Sequence, residues 1–205
     1  PVKLITEEKY ARAAHGGVGE AKAAGNYGAA MFPTERARQK GYDNVMWLDD
    51  REFRFIQEVG TMNLFFVIDG KVITPSTPGT ILKGITRDSF IIYLKSMGYE
   101  VEERLISIDE VVDAHHRGLL QEAFGAGTAA VVSHIIEITH REEHLMLPPI
   151  AEREVGVMLK DWLNGLRSGR YADDFGWLHA VGQTELADAP PVFSEKVTSG
   201  SEIPA

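Results

Sequence analysis

The chain has 205 residues, 44% of them hydrophobic and 25% charged, the balance of an ordinary globular protein with room for one large core or two small ones. Its net charge of -9, with no long basic stripe to offset it, argues against nucleic acid as a partner, and no apolar run reaches the roughly 18 residues a membrane helix needs. Cysteine is absent, which excludes disulfides, thiolate metal sites and cysteine nucleophiles.

The opening Pro1-Val2, with neither an initiator methionine nor a leader, reads as a start partway through a longer protein. In GGVGEAKAAGNYGA, residues 16–29, Lys22 sits among glycines and alanines. Small residues and the charged TERARQK stretch predict a helix over 26–40, stopped by Gly41, with Pro33 in its first turns or at a kink. Residues 44–48 and 53–58 alternate as two strands around Asp49-Asp50. Residues 63–68 and 71–74 flank Asp69-Gly70, a hairpin signal because that turn needs positive φ. The PSTPGT loop leads to a helix over 86–97 and a strand over 100–107. Ser107-Ile108-Asp109-Glu110 fits a capping box that opens a helix reaching Arg117. FGAGTA, residues 124–129, reads as a glycine-rich turn, and 131–139 with 144–147 as another hairpin. Val155, Met158, Leu159, Trp162, Leu163 and Leu166 recur at helical spacing, and Gly169 closes that helix. Residues 182–205, rich in Pro, Ser, Glu and Ala, read as a flexible tail. Strands mixed with isolated helices predict an α+β (mixed α/β) single domain over 1–181, and the hairpins argue against a doubly wound parallel sheet.

Lys22 raises the chemical question. A solvated charge is the plain reading, because burying an unpaired ammonium is expensive. A lysine among small residues escapes that cost by forming an imine with a carbonyl cofactor, and glycines and alanines leave room for a flat ring. Glu58, closing the apolar run before VGTMNLFF, is either a strand-end surface charge or the carboxylate such a ring nitrogen requires. Gly84 in LKGITRDS stands just before a helix N-terminus, where free N–H groups attract anions. FGAGTA adds a hydroxyl at Thr128, although glycine-rich turns also occur for purely geometric reasons.

Taken in order, GGVGEAKAAGNYG, EVGTMNLFF, LKGITRDS and FGAGTA resemble the branched-chain amino acid aminotransferases, which are fold-type IV pyridoxal phosphate enzymes. The resemblance runs from Pro1 to about Val181 and implies a β-rich pseudo-barrel with flanking helices. It implies that Lys22 is the Schiff-base lysine and proton carrier, and that Tyr27 hydrogen-bonds the phenolic oxygen of pyridoxal 5′-phosphate. Glu58 would partner the ring nitrogen and Leu82 pack on the ring face. Backbone N–H groups of Ile85 and Thr86, with the Thr128 hydroxyl, would hold the phosphate; Thr61 and Ala129 would meet the substrate. It further implies amino acid and 2-oxo acid substrates, a cytoplasmic homodimer, and an N-terminal small domain that is absent from this chain. The isolated fragment is accordingly expected to be inactive or slow. EVGTMN favours the branched-chain branch over D-amino acid aminotransferases and aminodeoxychorismate lyase, which share the fold. Lys83 departs from the pattern, standing where the family usually has proline.

Two other classes compete. His140-Arg141-Glu142-Glu143-His144 fits the H-x-x-E-H pattern of a zinc hydrolase, which needs both histidines on one helix face. Its apolar, β-branched flanks favour a solvated hairpin turn instead. The third class is a catalytic fold retained for interaction alone.

Overall fold

A computed structural model describes residues 1–77 and 79–179. The first strand, β1 (Val2–Glu7), precedes the Lys22 loop and helix α1 (Ala24–Gln39). Strands β2 (Asn44–Leu48), β3 (Ile56–Val59), β4 (Asn63–Ile68) and β5 (Lys71–Pro75) follow, then α2 (Ile85–Ser96), β6 (Val101–Arg104) and α3 (Ile108–His116). Strands β7 (Leu120–Gly127), β8 (Val131–His140) and β9 (Glu143–Met146) lead to α4 (Val155–Arg167). All nine strands form one sheet in the order β3-β2-β1-β8-β7-β4-β5-β6, with β9 on β8. Strand β1 runs parallel to β2 and β8, and β5 to β6, while the hairpin pairs are antiparallel. This is the mixed architecture expected from the hairpins.

Period-2 alternation sends side chains to both faces of the sheet. In β4, Leu64, Phe66 and Ile68 join a core closed by Ile108, Val111 and Ala114 of α3. Phe65 and Val67, on the other face, pack with Phe90, Ile91 and Leu94 of α2 and Leu159, Trp162 and Leu163 of α4. A smaller cluster, Ala37 with Val45 and Trp47, seats α1 on β2. Pro33 lies inside the continuous helix α1 with its side chain buried.

Three local expectations need correction, and one strand was not anticipated. Strand β1 carries no turn signal and owes its existence to two partners far along the chain, β2 and β8. FGAGTA is mostly strand β7, and only the residues after Gly127 turn. A Cβ on Gly125 would lie 2.8 Å from Met62 Cε and 3.0 Å from Val59 Cγ1, so that glycine serves close packing. Strand β3 starts at Ile56 instead of 53 because the Asp49 carboxylate accepts the N–H groups of Arg51, Glu52, Arg54 and Phe55, closing a compact turn. Strand β6 stops at Arg104; beyond it Ile106 O accepts the Ile56 N–H and the chain turns into α3. The expected tail over 182–205 lies outside the described residues. Among the described residues no helix is long and apolar enough to cross a membrane.

Candidate active site

The Lys22 loop is tied down from below. Asn26, at the start of α1, donates its side-chain amide to Val18 O and Ala21 O. Arg12 reaches under the loop, Nη2 donating to Gly19 O at 3.3 Å and to Thr80 O at 2.5 Å. Lys22 itself is exposed, its Nζ 5.3 Å from the centre of the Tyr27 ring.

Opposite stands the N-terminus of α2. Its N-cap, Gly84, offers no side chain, and the first N–H engaged with the preceding turn is that of Asp88, on Gly84 O. The N–H groups of Ile85 and Thr86 are thus left open to a ligand, in the favourable field of the helix dipole. Asn63 braces this turn by donating to Leu82 O at 2.8 Å, and a Cβ on Gly84 would collide with the Asn63 amide. Thr128 and Ala129 follow β7 directly.

These segments enclose a cavity of about 300 Å³ lined by Lys22, Thr61, Leu82, Ile85, Thr86, Thr128 and Ala129 among others. Seven of the nine expected site residues therefore share one cavity. Tyr27 touches it through Lys22 and lines the neighbouring cleft with Thr61. Glu58 sits behind the wall, 2% exposed, accepting the Leu82 N–H at 2.7 Å. Burial pushes the Glu58 carboxyl up from the ordinary carboxylate range, against the pull of Arg12, the Leu82 N–H and Lys22, which favour the ionised form.

Arg12 was missed by the sequence reading. Its Nε lies 3.2 Å from Glu58 Oε2, within ion-pair distance but not aligned as a hydrogen bond. One signal was available: Arg12, in YARAAHGG, is a cation among alanines and glycines, as Lys22 is. Lys83 pairs with Glu20 at 3.1 Å, so an ion pair links the Lys22 loop to the α2 turn where a proline was expected.

The donor set is an amine, a hydroxyl, open backbone N–H groups and a buried carboxylate. It suits a ligand with an aldehyde, an anionic head and a basic ring nitrogen, the three handles of pyridoxal 5′-phosphate. The zinc arrangement does not form. His140 and Glu143 face each other across the β8–β9 hairpin, not on a helix. His140 Nδ1 lies 2.9 Å from Thr6 Oγ1, His144 Nδ1 lies 2.8 Å from Glu137 Oε1, and Glu143 pairs with His116. No group of three metal-ligating side chains converges among the described residues.

The family model for amino-transferase class IV matches residues 2–138. Branched-chain-amino-acid aminotransferase 2 of Bacillus subtilis is 46% identical over 181 residues, covering 88% of this chain and 50% of that protein. A branched-chain amino acid aminotransferase structure from Escherichia coli superposes with TM-score 0.73 at 29% identity, covering 89% of this chain and 58% of the other. The T.th. branched-chain amino acid aminotransferase, complexed with N-(5′-phosphopyridoxyl)-L-glutamate, gives TM-score 0.71 at 29% identity, covering 87% and 56%. The chain spans about half the length of the curated relatives it matches.

Proposed function

The chain belongs to the amino-transferase class IV family, and from that membership we propose that residues 1–181 are the cofactor-binding part of a branched-chain amino acid aminotransferase. The reaction is amino-group exchange between leucine, isoleucine or valine and 2-oxoglutarate, with pyridoxal 5′-phosphate as cofactor. The observation that carries this reading is the cavity in which Lys22 meets the open N-terminus of α2 and Thr128, with Glu58 buried behind. The names of the similar proteins, and the phosphopyridoxyl glutamate in one of them, support it.

When bound, the cofactor supplies an aldehyde for an amine and a protonated ring that takes up the electron pair left on the substrate's Cα. The rest is the work of this chain. Lys22 Nζ is the amine that holds the cofactor and then carries a proton between the substrate's Cα and the cofactor's C4′. Glu58 keeps the proton on the ring nitrogen, and Arg12, beside it, favours the ionised form of Glu58 against the push of burial. Tyr27 donates to the phenolic oxygen, and Leu82 packs on the ring face. The Ile85 and Thr86 N–H groups and the Thr128 hydroxyl hold the phosphate. Thr61 and Ala129 meet the substrate carboxylate.

Because the curated relatives are about twice as long, this reading assigns the remaining phosphate and side-chain contacts to a further segment, an N-terminal small domain, supplied in cis or in trans. Helix α1 leaves Met31 and Phe32 exposed beside Tyr27 and Thr61, which supports a covering partner and a homodimer. We place the enzyme in the cytoplasm.

The test is glutamate formation from L-leucine and 2-oxoglutarate with cofactor present, for the chain alone and with the other half of the Bacillus subtilis relative added. Slow turnover alone and faster turnover on addition are expected. A preference for D-alanine, or no gain on addition, contradicts the reading.

A further inference from the structure

We propose that Arg167 is a positioning residue for substrate-carboxylate recognition, acting by pinning the Thr128 carbonyl so that the Ala129 N–H faces the cavity. The inference rests on reading this cavity as an aminotransferase site.

Arg167 ends α4, and its Nη1 donates to Thr128 O at 3.5 Å. Thr128 stands between two spaces. On one side lies the cavity with Lys22, Thr61 and Ala129; on the other is a cleft lined by Leu163, Leu166, Arg167 and Trp177. The peptide bonds of the described chain are all trans, and in a trans peptide the carbonyl and the following N–H point in opposite directions. Holding the Thr128 carbonyl on the α4 side therefore turns the Ala129 N–H towards the Lys22 side. No acceptor for that N–H occurs among the described residues.

The turn needs such a hold. Val131, which follows it, is buried and adopts φ 60°, a left-handed conformation that a β-branched residue strongly disfavours. A strained residue persists only where its surroundings fix it. The anchors here are the pairing of Val131 with Gly127 across β7 and β8, the bond from the Val132 N–H to Ala130 O at 2.7 Å, and, on the other arm of the turn, the Arg167 guanidinium at Thr128 O. Arg167 pairs with no carboxylate among the described residues, so its charge also favours an anion on the cavity side. Asp88, on the same cleft, is the acid that partly opposes it.

The test uses the whole chain loaded with pyridoxal 5′-phosphate and titrated with 4-methylpentanoate, which has leucine's carbon skeleton and carboxylate but no amine to react. Arg167→Gln is expected to weaken its binding roughly two- to threefold, the scale of one long, solvent-exposed hydrogen bond, while the absorption band of cofactor held on Lys22 persists. Arg167→Lys, which keeps the charge on a slightly shorter side chain, should restore part of the affinity. Binding of 4-methylpentanamide, which lacks the anionic group, should change little. Unchanged 4-methylpentanoate affinity in Arg167→Gln, with the band intact, overturns the inference and leaves the aminotransferase reading standing. Absence of the band in the unsubstituted chain even with the other half of the Bacillus subtilis relative added overturns that reading, and the inference with it.

Discussion

Asp49 directs its carboxylate into its own turn, and that has a pH signature. Burial alone would raise its pKa, but four backbone N–H donors outweigh burial and hold it below the ordinary carboxylate value. A depressed folded pKa contributes stability above the unfolded value, lost as pH falls through the folded one. Asp49→Asn should therefore cost about 1–3 kcal/mol near neutrality, with the difference closing in acid below pH about 4; urea midpoints across pH measure it. Arg12 and Glu58 behave differently, since each is buried and each is the other's counter-charge. Arg12→Gln should cost about 3–5 kcal/mol, the penalty of leaving a buried charge unpaired, and should raise the Glu58 pKa further. Lys22 was legible because its neighbours are small. Arg12 shares that signal, but its partner is remote in sequence, and no spacing rule joins a loop arginine to a strand glutamate.

Elements were legible wherever their signals were local. Asp69 and Gly70 both take positive φ, as the hairpin signal requires. Ser107 caps α3 by accepting the Glu110 N–H at 3.1 Å, although Glu110 directs its carboxylate to Arg104 instead of closing the capping box. Ser107→Ala should cost about 1 kcal/mol of stability, read by thermal unfolding. Strands β1 and β7 escaped because pairing with distant strands makes them, and glycines kept for close contact in β7 imitate a turn. Gly84 matters for the same kind of reason. Gly84→Ala should displace Asn63, disturb the open N–H groups of α2 and weaken cofactor binding by roughly tenfold or more. Titration by Trp fluorescence measures it, and unchanged affinity would remove the α2 N-terminus from the phosphate site.

At the scale of the molecule, one sheet with a core on each face brings to a single cavity residues spread from 22 to 129. Motif order anticipated this gathering, while the sheet order that achieves it was not readable from local pattern. Exposed Met31 and Phe32 predict concentration-dependent self-association of the chain, which sedimentation would detect and which serines at both positions should reduce. The role of Lys22 is tested most directly by adding pyridoxal 5′-phosphate, reducing with borohydride and mapping the labelled peptide. A long-wavelength band before reduction and a pyridoxyl group fixed on Lys22 are expected. Label spread over surface lysines such as Lys40 and Lys160, with Lys22 unmodified, would contradict that role.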